Sequence, residues 1–332
     1  MGIVSKAPGE FELITRLTAK LRQSPRTILG PGDDCAILAP SRSRQLVTID
    51  SMVEGVHFEL GWGTPEGLGA RALIVNLSDI AAMGGVPMAC VINLAIRPGL
   101  GARFFDRLYA GLSDAASAAG VDIVGGNVTR AEALAITIAL FGEARKSLLR
   151  RDAARSGDDI FVTGTLGDAA IGWRILAGEL KARGPSRKFL VDRYLQPVAR
   201  LKAGQRLTRV NPAPAAIDIS DGLLQDLGHV LKRSGVGAEI EAGAIPLSSA
   251  YREVMGDNLE FALSGGEDYE LLFCLRPGRS ETALTQRLGV PVSRIGQIVR
   301  GHRVTLIHGG GRAGVKAPRI AGWDQLRAHD IR

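Results

Sequence analysis

Cysteine is scarce: Cys35, Cys90 and Cys274 are the only three in 332 residues, and no two of them form a CxxC pair. An odd number of widely spaced thiols excludes a disulfide-stapled scaffold and suits a reducing compartment. Aromatic residues make up 5% of the chain, so the core has to be built from aliphatic side chains. The five histidines (His57, His229, His302, His308 and His329) are dispersed, without the spacing of a zinc site. No apolar run approaches the length that spans a bilayer, and the N-terminus carries no basic-then-apolar leader. A soluble, cytoplasmic protein with no membrane partner is expected. Also absent are the GxxxxGK[ST] phosphate loop, HExxH and GxSxG. A GxGxxG match at Gly309, Gly311 and Gly314 follows a strand-like segment, but Pro318 interrupts its sequel and no βαβ unit fits. Basic residues exceed acidic ones by 41 to 34, a net charge of +7, yet they do not form a stripe interleaved with aromatics. That argues against a nucleic-acid partner and leaves an anionic small molecule as the better one.

Glycine, by contrast, is abundant: 42 residues, nearly twice the usual share, in short clusters such as Gly84-Gly85, Gly125-Gly126 and Gly265-Gly266. Clusters of this kind mark turns where the backbone comes close to something. Apolar periodicity alternates between helix-like and strand-like segments. Helices are expected at 11–21, 65–85, 103–120, 221–235 and 280–289. Strands are expected at 45–49, 88–96, 121–124, 133–142, 160–164, 215–220, 269–275 and 304–308. The basic run "EARKSLLRRDAAR" at 143–155 marks a crossing between domains, and an α-rich stretch follows to about residue 210. Two α/β domains result, residues 1–148 and 149–332.

What remains is a set of aspartates at element ends. Asp33 and Asp34 stand side by side in "GPGDDCAIL", where a strand is expected to open; as neighbours on a strand they would point to opposite faces. Asp50 closes "LVTID". Asp218 and Asp221 flank Ser220 at a strand-to-helix junction, where Ser220 or Asp221 could serve simply as a helix cap. Asp79 is harder to dismiss. Its helical neighbours Val75 and Met83 are apolar, so it lies on or beside a buried stripe and needs a partner. Clustered carboxylates without paired cysteines point to hard cations, Mg²⁺ first among them.

The stretches "GDDCAIL", "IDSMVEGVHF", "NLSDIAAMGG", "GGNVTR", "IDISDGLLQDLGH" and "SGGEDYELLF" occur in the order and spacing of the thiamine-monophosphate kinase family. The resemblance runs from about residue 9 to Trp323. It implies the aminoimidazole ribonucleotide synthetase-like fold: an N-terminal α/β domain whose strands pair with those of a second subunit, giving a homodimer, and a C-terminal α/β domain. It further implies ATP- and Mg²⁺-dependent phosphorylation of thiamine monophosphate to thiamine diphosphate, with several metal ions. Carried over residue by residue, Asp33, Asp50, Asp79, Asp218 and Asp221 are implied as catalytic metal ligands. Thr48 and the carbonyl of Ile49 assist, and Asn127 occupies a further metal position. Tyr109, Gly126, Arg151 and Ser220 fall at ATP positions; His57, Glu267 and Trp323 fall at thiamine-phosphate positions.

The chain departs from the family pattern twice. Asn127 replaces the aspartate of a GGD triplet, and Ile49 replaces a threonine. The implied chemistry suits the residues, because the acceptor is already a phosphate oxyanion and needs no general base. Two other readings stand beside it. One is an enzyme of the same superfamily with a different acceptor, against which "EGVHF" and "SGGEDYELLF" speak. The other is a non-catalytic nucleotide-binding paralogue, for which Asn127 is the one hint.

Overall fold

The computed structural model describes residues 10–144, 147–308 and 311–316. The chain divides into two compact units, Met1–Ile80 with Val86–Ala144, and Ala81–Gly85 with Arg145–Arg332.

In order along the chain, the first unit contains α1 (Glu10–Thr18), β1 (Thr27–Leu29), β2 (Ile37–Leu38), β3 (Gln45–Val53), α2 (Pro65–Ala82, whose end belongs to the second unit), β4 (Val86–Ile96), α3 (Ala102–Ala119), β5 (Asp122–Arg130) and β6 (Ala135–Glu143). Its main sheet has the order β3-β6-β4-β5. β6 runs antiparallel to both β3 and β4, whereas β4 and β5 are parallel and joined through α3. Ile92, Leu94, Ile136, Ile138 and Leu140 are fully buried, as the aliphatic composition requires. Two helix-interior glycines are explained by contact. A Cβ on Gly69 would lie 2.0 Å from the Leu108 carbonyl oxygen, and one on Gly111 would lie 1.9 Å from that of Glu66. α2 and α3 therefore meet backbone to backbone, an approach that outweighs the roughly 1 kcal/mol glycine costs relative to alanine inside a helix.

Along β3 the alternation is strict. Leu46, Thr48, Asp50 and Met52 share one face, and the more exposed Val47, Ile49 and Ser51 share the other. Register then carries these faces across the sheet. Ser51 pairs with Thr137, Thr137 with Asn93, and Asn93 with Asn127, so all four lie in one row on the Ile49 face.

Asp33 and Asp34 require a correction: they do not open a strand. β2 comprises only Ile37 and Leu38, and both aspartates are exposed in the preceding turn. The Asp33 carboxylate accepts the N–H of Asp34 at 2.9 Å, a local bond that competes with sheet pairing. The turn's approach is anchored from elsewhere. Buried Asp122 accepts the Ser24 N–H at 3.0 Å, the Ser24 hydroxyl at 2.7 Å and the Thr27 hydroxyl at 2.6 Å.

The second unit contains β7 (Asp159–Thr163), α4 (Asp168–Leu176), α5 (Gly184–Leu195), α6 (Leu201–Leu207), β8 (Ala215–Ile219), α7 (Leu223–Ser234), β9 (Gly237–Glu241), α8 (Ser249–Met255), α9 (Glu260–Ser264), β10 (Glu270–Leu275), α10 (Glu281–Leu288), β11 (Val292–Val299), β12 (Val304–His308) and β13 (Gly311–Lys316). The sheet order is β13-β12-β9-β11-β7-β10-β8. Strands β7 and β10 present apolar side chains to both faces of the sheet, because both faces are covered. Ile160, Val162, Leu272 and Cys274 enter one core, while Phe161, Leu271, Phe273 and Leu275 enter the other. Phe161 and Phe273 stack with ring centroids 5.5 Å apart. Periodicity does not announce β9, β11, α8 or α9, which are short or interrupted by glycine and charge. Gly311 and Gly314 lie within β13, in agreement with the rejection of a dinucleotide loop there.

Candidate active site

In the N-terminal unit the sheet gathers part of the implied ligand set. Thr48 and Asp50 project from the same face of β3. The Thr48 hydroxyl donates a hydrogen bond to the Asp79 carboxylate on α2. That bond supplies the partner Asp79 needs and joins it to Thr48, on the face of β3 that also carries Asp50. Asn127 is not among them: its amide donates to the Asn93 side-chain oxygen at 3.0 Å on the opposite face. The Ile49 side chain lies on that opposite face too, which leaves its carbonyl as the donor the resemblance assigns. Gly126 falls in the Asp50 row, and a Cβ there would meet the Ile92 carbonyl oxygen at 2.1 Å. His57 closes the turn after β3: its N–H donates to the Val53 carbonyl at 2.8 Å, and its Nδ1 accepts the Val53 N–H at 3.1 Å. Tyr109 sits on α3, and burial, assisted slightly by Cys90, raises its hydroxyl well above the ordinary phenol range.

In the C-terminal unit the expected residues converge more tightly. β8 ends at Ile219 and α7 begins at Leu223, with Asp218, Ser220 and Asp221 at the junction. Neither Ser220 nor Asp221 caps the helix, which corrects the cap reading. The N-cap position is Gly222, which has no side chain to offer, and the side chain that reaches back is that of Asp226. One oxygen of Asp226 accepts the N–H groups of Ser220, Asp221 and Gly222 at 3.0, 3.0 and 3.1 Å. The facing segment, 264–269, completes the arrangement. The Glu267 N–H donates to the Ser220 carbonyl, and the Tyr269 N–H to that of Ile219, both at 2.8 Å. Among the described residues, Glu267 and Tyr269 are the two non-glycine positions with left-handed backbone, at φ 70° and 52°. Between them, Asp268 is buried and accepts the Gly167 N–H at 2.7 Å, which pins the turn to the start of α4. Such strain persists only where surrounding bonds over-determine it. Arg151 is exposed, and its charge acts on Asp221. Trp323 lies outside the described residues.

Electrostatics in this cluster favour a cation. Burial raises Asp221 above the usual carboxylate range; Glu267 adds to the rise, and Gln225, His229 and Arg151 oppose it. Burial, followed by repulsion from Asp218 and Asp221, pushes Asp226 up to about 8, while the backbone N–H groups work against the shift. Carboxylates held this close are the hard-oxygen donor set that Mg²⁺ takes, and a divalent ion would reverse both shifts. Asp221, Asp226 and His229 each offer a ligand atom, all within 4.8 Å of one another.

Two family models match the chain: the N-terminal domain of AIR synthase related protein over residues 32–144, and its C-terminal domain over 155–309. The thiamine-monophosphate kinase of Salmonella typhimurium is 40% identical over 305 residues, covering 88% of this chain and 91% of its own. The crystal structure of thiamine-monophosphate kinase from Stenotrophomonas maltophilia is 37% identical, with a TM-score of 0.77 over 88% of this chain and 94% of that one. The chain belongs to the thiamine-monophosphate kinase family. A solved complex of AaThiL with AMPPCP and TMP is similar at 35% identity and a TM-score of 0.73, covering 95% and 96% of the two chains.

Sequence spacing singles out Asp218 and Asp221 of the "IDISDG" junction, but it gives no role to Asp226 or His229. The available signal is an acid next to Leu227 and two residues after Leu224 in an apolar helix start, where an unpartnered buried carboxylate would be costly.

Proposed function

We propose that this protein transfers the γ-phosphoryl group of ATP to thiamine monophosphate, forming thiamine diphosphate and ADP in thiamine diphosphate biosynthesis. The observation that carries the reading is 40% identity to a thiamine-monophosphate kinase over 88% of the chain. Mg²⁺, when bound, supplies neutralisation of the phosphate charges and in-line alignment. The chain's own residues do the holding. Asp33, Asp50 and Asp79 of one unit, and Asp218 and Asp221 of the other, are assigned to the metal ions. Thr48 orients Asp79, and the Ile49 carbonyl is an auxiliary donor. Asn127 offers only an uncharged oxygen, on the other face of the sheet from Asp50.

Tyr109, Gly126, Arg151 and Ser220 are assigned to ATP, and His57, Glu267 and Trp323 to the thiamine phosphate. No general base is required, since the attacking atom is a phosphate oxygen. A cytoplasmic homodimer is part of the same reading. β3 is an edge strand of its sheet, and its outer face leaves Val47 and Ile49 63% and 64% exposed, a surface suited to a second copy. No helix among the described residues is long and apolar enough to cross a membrane.

The test is incubation with ATP, Mg²⁺ and either thiamine monophosphate or thiamine, followed by identification of the products. Thiamine diphosphate and ADP are expected from the monophosphate alone. Comparable turnover of thiamine would overturn the phosphate-acceptor assignment.

A further inference from the structure

We propose that Asp226 is a positioning residue for phosphoryl transfer: its carboxylate sets the turn that presents Ser220 and Asp221 and, through that turn, Glu267. The inference rests on the kinase reading above. Asp226 is 2% exposed and lies in the first turn of α7, behind the residues assigned to ligands. A single oxygen, Oδ2, takes the N–H groups of three successive residues. Successive amides of this kind form a concavity that binds anions. Here the protein's own carboxylate fills it, so these N–H groups serve the shape of the turn and are not offered to a phosphate.

The carbonyl side of the same turn is also occupied. Ser220 and Ile219 accept the N–H groups of Glu267 and Tyr269, whose left-handed conformations are held in place by those bonds. A nucleotide position (Ser220), a metal position (Asp221) and a thiamine-phosphate position (Glu267) therefore share one buried anchor. Withdrawing it frees three donors at once, and the turn has no side-chain cap to fall back on.

The test compares Asp226→Ala, Asp226→Ser and Asp226→Asn with the wild type in the full chain. The readouts are kcat, the KM for thiamine monophosphate, the Mg²⁺ concentration at half-maximal rate, and amide exchange of residues 220–222. Loss of a residue that orients metal ligands costs about 10–100-fold in metal affinity or activity. Asp226→Ala is expected to lower kcat and raise the Mg²⁺ requirement by about that factor, with faster exchange at 220–222. The serine variant, whose oxygen falls a bond short of the turn, carries the same expectation if the alanine variant does not fold. Asp226→Asn keeps an acceptor oxygen in place and is expected to stay within about fivefold of wild type.

A folded truncation with wild-type kcat and Mg²⁺ dependence would overturn the proposal. So would an asparagine variant as impaired as alanine, because charge rather than acceptor geometry would then be at work. An inactive wild type would instead count against the kinase reading, and the exchange comparison would still decide whether Asp226 holds the turn.

Discussion

Replacing Glu267 by glycine and by alanine isolates the strain in the 264–269 segment. Glu267 sits at φ 70°, where an L-residue pays roughly 1–2 kcal/mol for the contact between its Cβ and the backbone. Both substitutions remove the same side chain and the same hydrogen bond from the Tyr269 hydroxyl, 3.0 Å long, so those losses cancel in the comparison. Glycine relieves the strain but gives the unfolded chain more freedom, which offsets about 0.4–1 kcal/mol. The difference leaves E267G more stable than E267A by about 1 kcal/mol, the reverse of the usual order in a helix or strand. For a unit of this size, that corresponds to about 2–4 °C in melting temperature. Differential scanning calorimetry on both variants reads it directly. Equal melting temperatures, or a higher one for E267A, would refute the claim that strain is stored here. In the kinase assay both variants are expected to raise the KM for thiamine monophosphate, because the side chain assigned to that ligand is gone. A more stable yet poorer enzyme in the glycine variant would place the strain in the service of substrate binding.

Other outcomes follow from the same geometry. Asp79→Asn is expected to abolish turnover while circular dichroism stays native, since Thr48 still has an oxygen to bond; near-normal activity would reduce Asp79 to a structural carboxylate. Buried Glu270 accepts hydrogen bonds from Thr163, Arg193 and Arg200, so Glu270→Ala leaves two guanidinium groups without it and is expected to cost about 3–5 kcal/mol in urea unfolding. A cost under about 1 kcal/mol would show that water repairs the site. Because burial raises Asp221, protons compete with the metal there, and the Mg²⁺ concentration at half-maximal rate is expected to rise as pH falls. Metal binding requires the deprotonated Asp221 carboxylate, so a Mg²⁺ requirement that stays flat with pH would exclude Asp221 from the metal site.

Much of the architecture was legible in the chain because period and composition are local quantities. The covered strands β7 and β10 read as apolar runs, and α2, α3 and α7 carry their own start and stop signals. β9 and β11 escaped notice because "GAEIE" and "VSRIGQIV" mix glycine and charge into short strands. Only their neighbours in the sheet make strands of them. Asp33 and Asp34 misled for a related reason: a polar turn running into an apolar segment looks like a strand entrance, and the side-chain bond from Asp33 that keeps it a turn leaves no mark in periodicity.

The site divides along the same line. Residue types, their order and their spacing were sufficient to select the aspartates, to exclude zinc, thiol and P-loop chemistry, and to identify the family. They could not tell that Asn127 faces away from Asp50, because face depends on a register running across three strands. Nor could they join Thr48 to Asp79, 31 residues away. The clamp of Ser220 between Asp226 and Glu267 is likewise a product of β8 lying beside β10. Sequence pattern records what each residue prefers as its surroundings, burial or water, helix or strand. Which donor meets which acceptor is settled only when the folded chain brings distant segments within hydrogen-bond reach.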